Sequence, residues 1–123
     1  MRRRMHDAHP NRSDLFDVKH DAGGMIDLEF VVQFLVLAHA HRHPRLTANL
    51  GNIALLGIAG ELGLIPPELA QRGQEAYREF RRVQHALRLS GAQYARVPPE
   101  QVAMHARAVR ELWDIALGPG GGR

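Results

Sequence analysis

The chain has 123 residues, 45% of them hydrophobic, no cysteine and a formal net charge of +3. That length suits one domain with a core of its own, and the lack of cysteine excludes disulfides and thiolate metal sites, in keeping with a reducing cytoplasm. So small a net charge does not argue for nucleic-acid binding, and no apolar run of about 18 residues is present to cross a membrane.

Residues 1–18 carry no sustained apolar period and read as a disordered lead-in or as the tail of a preceding domain. Met1-Arg2-Arg3-Arg4-Met5 runs into His6-Asp7 and not into an apolar stretch, so it is not a signal peptide. Gly23-Gly24 then supplies a tight turn. Residues 25–38 are apolar except for Asp27, Glu29 and Gln33, with no Pro or Gly, which predicts a helix over 25–41 ending before Pro44. Being apolar all round, it should form the buried centre of a bundle, and truncating Phe34 or Leu35 should be the most damaging single change. Asp27 and Glu29 lie in its first turn, where carboxylates complement the helix dipole whether or not they do more. His39, His41 and His43 are two residues apart, so on a helix they point to different sides and cannot share one metal ion.

Thr47 is a plausible cap for a second helix over 48–62, whose Gly51, Gly57 and Gly60 suggest close packing against the first helix, with Gly63 at its C-terminal end. Pro66-Pro67-Glu68 opens a third helix that ends at Ser90-Gly91. Its Leu69, Ala76-Tyr77, Phe80, Val83-Gln84 and Leu87 form an amphipathic stripe. Arg78, Arg81, Arg82, His85 and Arg88 form a basic ridge on the opposite face, which on most bundle helices is simply a solvated surface. A fourth helix starts in Val97-Pro98-Pro99-Glu100 and buries Val102, Ala106, Val109, Trp113 and Ala116, with Trp113 as a core anchor. Residues 118–123 are a glycine-rich, flexible terminus. No repeat and no strand-period segment stands out. The expected fold is all-α: a compact bundle of about four helices over 19–117, packed around the first helix, with disordered ends.

The string Lys19-His20-Asp21-Ala22-Gly23-Gly24-Met25-Ile26-Asp27-Leu28-Glu29-Phe30, with Asn52-Ile53, Ala76-Tyr77-Arg78, Arg81, His85 and Leu112-Trp113 downstream, resembles the C-terminal helical region of the glutamine synthetase adenylyltransferases. A more distant likeness to the helical part of the PII uridylyltransferases goes with it. The resemblance implies a cytoplasmic enzyme that uses ATP and Mg2+ to add AMP to glutamine synthetase and also removes it, under control of the PII signalling protein. It departs from the pattern at Leu50-Gly51-Asn52-Ile53-Ala54, where Asn52 is kept but a neighbouring acid and base are not.

Nucleotidyl transfer uses carboxylates that hold two metal ions. In enzymes that resemble this family they sit on a sheet beginning with Gly-Ser and Asp-x-Asp, and the chain contains neither string. The expectation is therefore a helical domain that is inactive alone, binds no cofactor or metal by itself, walls a nucleotide site and contacts partners. Lys19, Gly23, Gly24, Arg81 and His85 are the candidates for nucleotide phosphates, converging on one cleft. Asp27 and Glu29 would hold Lys19 or a ridge arginine in position. The competing reading is a stand-alone helical module that binds a protein or an acidic ligand through its arginine-rich face. Fifteen of the sixteen Lys and Arg residues are Arg, which suits bidentate contacts to carboxylate or phosphate, although a GC-rich genome gives the same bias.

Overall fold

A computed structural model describes residues 13–118. The disorder expected of the two ends concerns residues that lie largely outside these. Helix α1 spans Met25–His39, α2 Asn52–Glu61, α3 Pro67–Leu89 and α4 Pro99–Leu117. A short 3-10 helix, Pro44–Thr47, lies between α1 and α2. Two short strands, β1 (Phe16–Asp17) and β2 (Arg96–Val97), pair antiparallel, with Phe16 opposite Val97 and Asp17 opposite Arg96. The fold is the expected all-α bundle of four helices, with this small ribbon added.

Each helix starts and stops where its chemistry says it should, with one exception. Pro67 and Pro99 occupy first helical positions, where the missing N–H costs nothing. Helix α2 ends in a Schellman turn: Gly63 has φ of +78°, its N–H bonds to the Gly60 carbonyl, and the Leu64 N–H bonds to the Ala59 carbonyl. The exception is the start of α2. Thr47 does not cap it; the Thr47 hydroxyl instead donates to the Pro44 carbonyl, closing the 3-10 turn, and α2 begins five residues later at Asn52. Pro44 favours that local turn, and Gly51 then takes the cap position.

The long helix α3 packs against both α2 and α4, while α1 lies mainly on α4. Phe80, Leu28, Val18, Val31, Leu56, Val102, Val109 and Leu112 are fully buried where these elements meet. Helix α1 is less enclosed than its composition suggests. Leu28, Val31, Val32 and Leu35 face inward, whereas Leu37 is 76% exposed, Phe30 is 39% exposed, and Phe34 is only half-buried and outside the core cluster. A helix in a four-helix bundle has neighbours on part of its circumference only. Phe30 still stacks on the buried Trp113, ring centroids 5.3 Å apart.

Two further expectations change. The glycines of α2 serve α3 and not α1: a Cβ on Gly57 would come 2.8 Å from the Gln74 amide, and one on Gly60 2.7 Å from the Ala70 Cβ. The tight turn after α2 makes α3 its nearest neighbour, so the small residues are needed there. The folded unit also begins before Lys19. Val18 is fully buried, Phe16 packs on Phe80 at 6.2 Å, and β1 depends on pairing with a strand 80 residues away, which no local period can reveal.

Leu28→Ala should therefore destabilise the chain by about 2–5 kcal/mol, and Phe34→Ala by clearly less. Urea titration followed by helical circular dichroism tests the order; an equal loss in both variants would contradict the packing described.

Candidate functional site

The loop from β1 to α1 is built around two carboxylates. Asp17 is buried, and its Oδ1 accepts the backbone N–H groups of Lys19 and His20, each at 3.0 Å, while its Oδ2 lies 3.5 Å from the Arg96 Nε. Asp27 is 1% exposed, and its Oδ2 accepts the Gly23 N–H at 2.8 Å. Gly23 has φ of +89°, and a Cβ there would come within 3.0 Å of the Ala106 carbonyl and the Arg110 guanidinium of α4. A Cβ on Gly24 would come 2.7 Å from the Val18 carbonyl. Both glycines are thus required by close packing inside the fold.

The backbone donors of the expected phosphate cradle bond within the loop itself. The Gly24 N–H bonds to the Asp21 carbonyl, that of Met25 to the Val18 carbonyl and that of Ile26 to the Lys19 carbonyl. With Gly23 committed to Asp27, the donors at the start of α1 are consumed internally. Gly23 and Gly24 are buried against their own loop and α4, and the basic side chain nearest Gly23 is Arg110 of α4, not a member of the α3 ridge. The physical reason is that the loop needs these N–H groups to close on itself.

Lys19 and the pair Arg81 and His85 line two different concavities. Lys19 is exposed and lines a cavity of about 180 Å³ with His20, Gln84, Leu87, Arg88 and Tyr94. Arg81 and His85 line a second groove of about 430 Å³ with Arg78, Arg82, Arg88 and Ile53. Gln84 and Arg88 border both, so the two lie next to each other along α3. Lys19 meets α3 at its last turns because the β1–β2 ribbon ties its loop to the segment that follows α3.

The two carboxylates of α1 have different jobs. Asp27 holds the Gly23 turn. Glu29 Oε2 accepts the Tyr77 hydroxyl at 2.8 Å, and that hydroxyl accepts the Asn52 side-chain N–H at 3.2 Å, which joins α1, α2 and α3. The Arg81 guanidinium lies 5.9 Å from the Tyr77 ring centroid, so Glu29 braces the aromatic ring under a ridge arginine. Burial, followed by the bond to Glu29, pushes the Tyr77 phenol up from its ordinary value and keeps it a neutral donor. Tyr77 and Asn52 were visible in the sequence only as a stripe aromatic and a kept asparagine. A tyrosine on a buried stripe needs a partner for its hydroxyl, and that was the available signal. Asp17 carried none.

Among the described residues, no three His, Cys, Asp or Glu side chains are grouped to hold a metal ion, and no helix is long and apolar enough to cross a membrane.

A family model described as GlnD PII-uridylyltransferase matches residues 1–109. The chain belongs to this family. Among its relatives, the bifunctional glutamine synthetase adenylyltransferase/adenylyl-removing enzyme of Aromatoleum aromaticum is 59% identical over 118 residues, covering 96% of this chain and 12% of that protein. The enzyme of the same name from Bordetella bronchiseptica is 58% identical over 120 residues, covering 98% and 13%. That from Nitrosomonas eutropha is 52% identical over 132 residues, covering 96% and 14%. The chain therefore corresponds to a small segment of these relatives, about an eighth of their length.

Tyr77→Phe should lower stability by about 1–2 kcal/mol while keeping the helical spectrum, since it removes two hydrogen bonds and preserves the ring. A loss below a few tenths of a kcal/mol in chemical denaturation would show that the three-helix junction does not form in solution.

The α3–α4 pair Arg72–Glu111 allows a test by pH. Its 2.9 Å contact, made by a hydrogen-bonded guanidinium, holds Glu111 below the usual carboxylate range. A lowered folded-state pKa contributes stability above the unfolded value, and that stability is lost as pH falls through the folded one. The stability gap between the native chain and Glu111→Gln should therefore shrink from about pH 6 to about pH 3, modestly because both side chains are partly exposed. A gap that widens on acidification would contradict the pair.

Proposed function

We propose that the chain is the C-terminal helical domain of a cytoplasmic nucleotidyltransferase that adenylylates and deadenylylates glutamine synthetase under control of the PII signalling protein. The relatives' names and the family match support this reading. The observation that carries it is the convergence of the residues bearing the likeness: Glu29, Tyr77, Asn52 and Arg81 are joined across three helices, beside a groove that shares Gln84 and Arg88 with the cavity at Lys19. On this reading the domain walls the nucleotide site, and phosphates approach at the cavity bordered by Lys19 and Arg88. Arg81 and His85 lie in the neighbouring groove, and Gly23 and Gly24 serve the loop instead of the ligand.

The donors present do not fit a magnesium site. Asp27 is committed to the Gly23 N–H and Glu29 to the Tyr77 hydroxyl, and Asp17 is enclosed by its own loop and Arg96. ATP and Mg2+ would accordingly be held by another part of the intact enzyme. No catalytic step is assigned to this chain.

Incubating the chain with radiolabelled ATP, magnesium and glutamine synthetase should leave the target unlabelled. Label above background would overturn the assignment of chemistry elsewhere. In the full-length enzyme, Lys19→Ala should raise the ATP requirement with the helical spectrum unchanged.

A further inference from the structure

Among the described residues, some cations are paired with carboxylates, and most of those on the α3 ridge are not. Arg45 pairs with Glu61, Arg72 with Glu111 and Arg96 with Asp17. In the groove only Arg82 has a carboxylate, that of Glu79 on its own helix. Arg78, Arg81, His85 and Arg88 face the same exposed concavity with no carboxylate within ion-pair distance among the described residues. Such a row is self-repelling, and an external anion relieves it.

Its shape selects the anion. From Arg78 to Arg88 is ten residues of α3, about 15 Å at the helical rise. The three arginines and His85 recur every three or four residues, about 5–6 Å apart, in a single line. A triphosphate concentrates its charge at one point and would engage one or two of them. A peptide with carboxylates at helical spacing meets them one by one. Arg81 is already held over the Tyr77 ring, which lowers the ordering cost of binding. Ile53, half-buried at the groove wall, adds an apolar contact that a peptide side chain can cover and a phosphate cannot.

We infer that the groove lined by Arg78, Arg81, His85, Arg88 and Ile53 docks an acidic protein segment with carboxylates at helical spacing. This goes beyond the nucleotide role proposed above and does not depend on it. Guanidinium forks suit carboxylates bidentately, and the line of charges sets the register of the bound segment.

The probe is a fluorescein-labelled peptide of about 18 residues with Glu at i, i+3, i+7 and i+10, added to the full chain and followed by anisotropy. A peptide of the same composition with scrambled spacing, inorganic tripolyphosphate and duplex DNA are the comparisons. The patterned peptide should bind tightest, and the double change Arg78→Gln with Arg88→Gln should weaken it at least roughly tenfold. Arg107→Gln, outside the groove on α4, should change it by less than about twofold. Circular dichroism confirms that each variant is folded. Arg78→Glu should regain binding to a peptide carrying Lys at the facing position. Equal binding of the scrambled peptide, an equal loss in Arg107→Gln, or tighter binding of DNA overturns the inference. Tighter, arginine-dependent binding of tripolyphosphate also overturns it, and leaves the nucleotide reading standing.

Discussion

Val18 is hydrogen-bonded on both sides of its peptide unit, and the placement of the basic residues depends on it. Its N–H donates to the Ala95 carbonyl, across from the paired strands, and its carbonyl accepts the N–H of Met25, the first residue of α1. The side chain is fully buried. One residue therefore ties the entry of α1 to the segment between α3 and α4. The loop that follows, including Lys19, has to lie against the C-terminal turns of α3. Without that tie α1 could still pack through its apolar face, but nothing would direct Lys19 toward Arg88.

The same tie explains why the double glycine is structural. A loop that turns back within six residues to begin a helix must satisfy its own N–H groups, and here Asp17, Asp21, Val18 and Asp27 supply the acceptors. Helix starts bind anions when their donors are free. These are not, and the anion-attracting part of the molecule is the side-chain row of α3.

Two buried or half-buried carboxylates of α1 thus act on structure in two directions. Asp27 looks back at its loop, and Glu29 looks across to Tyr77 and Asn52. The first holds the Gly23 turn, and the second fixes the Tyr77 ring beside Arg81.

The helices were legible in the amino-acid order because their signals are local. Apolar spacing marks α3 and α4, paired prolines open both, and Gly63 and Gly91 close α2 and α3 with positive φ. The basic ridge and the identity of its members were equally visible, since residues three and four apart must share a face. The tertiary structure alone decided what those faces meet. Asp17 reads as one acid in a polar lead-in until β1 pairs with β2, and Tyr77 reads as a core aromatic until Glu29 and Asn52 reach it from two other helices. Periodicity carries which side of a helix is buried. It carries nothing about rotation and register between helices, and those depend on contacts between residues 25 to 80 positions apart.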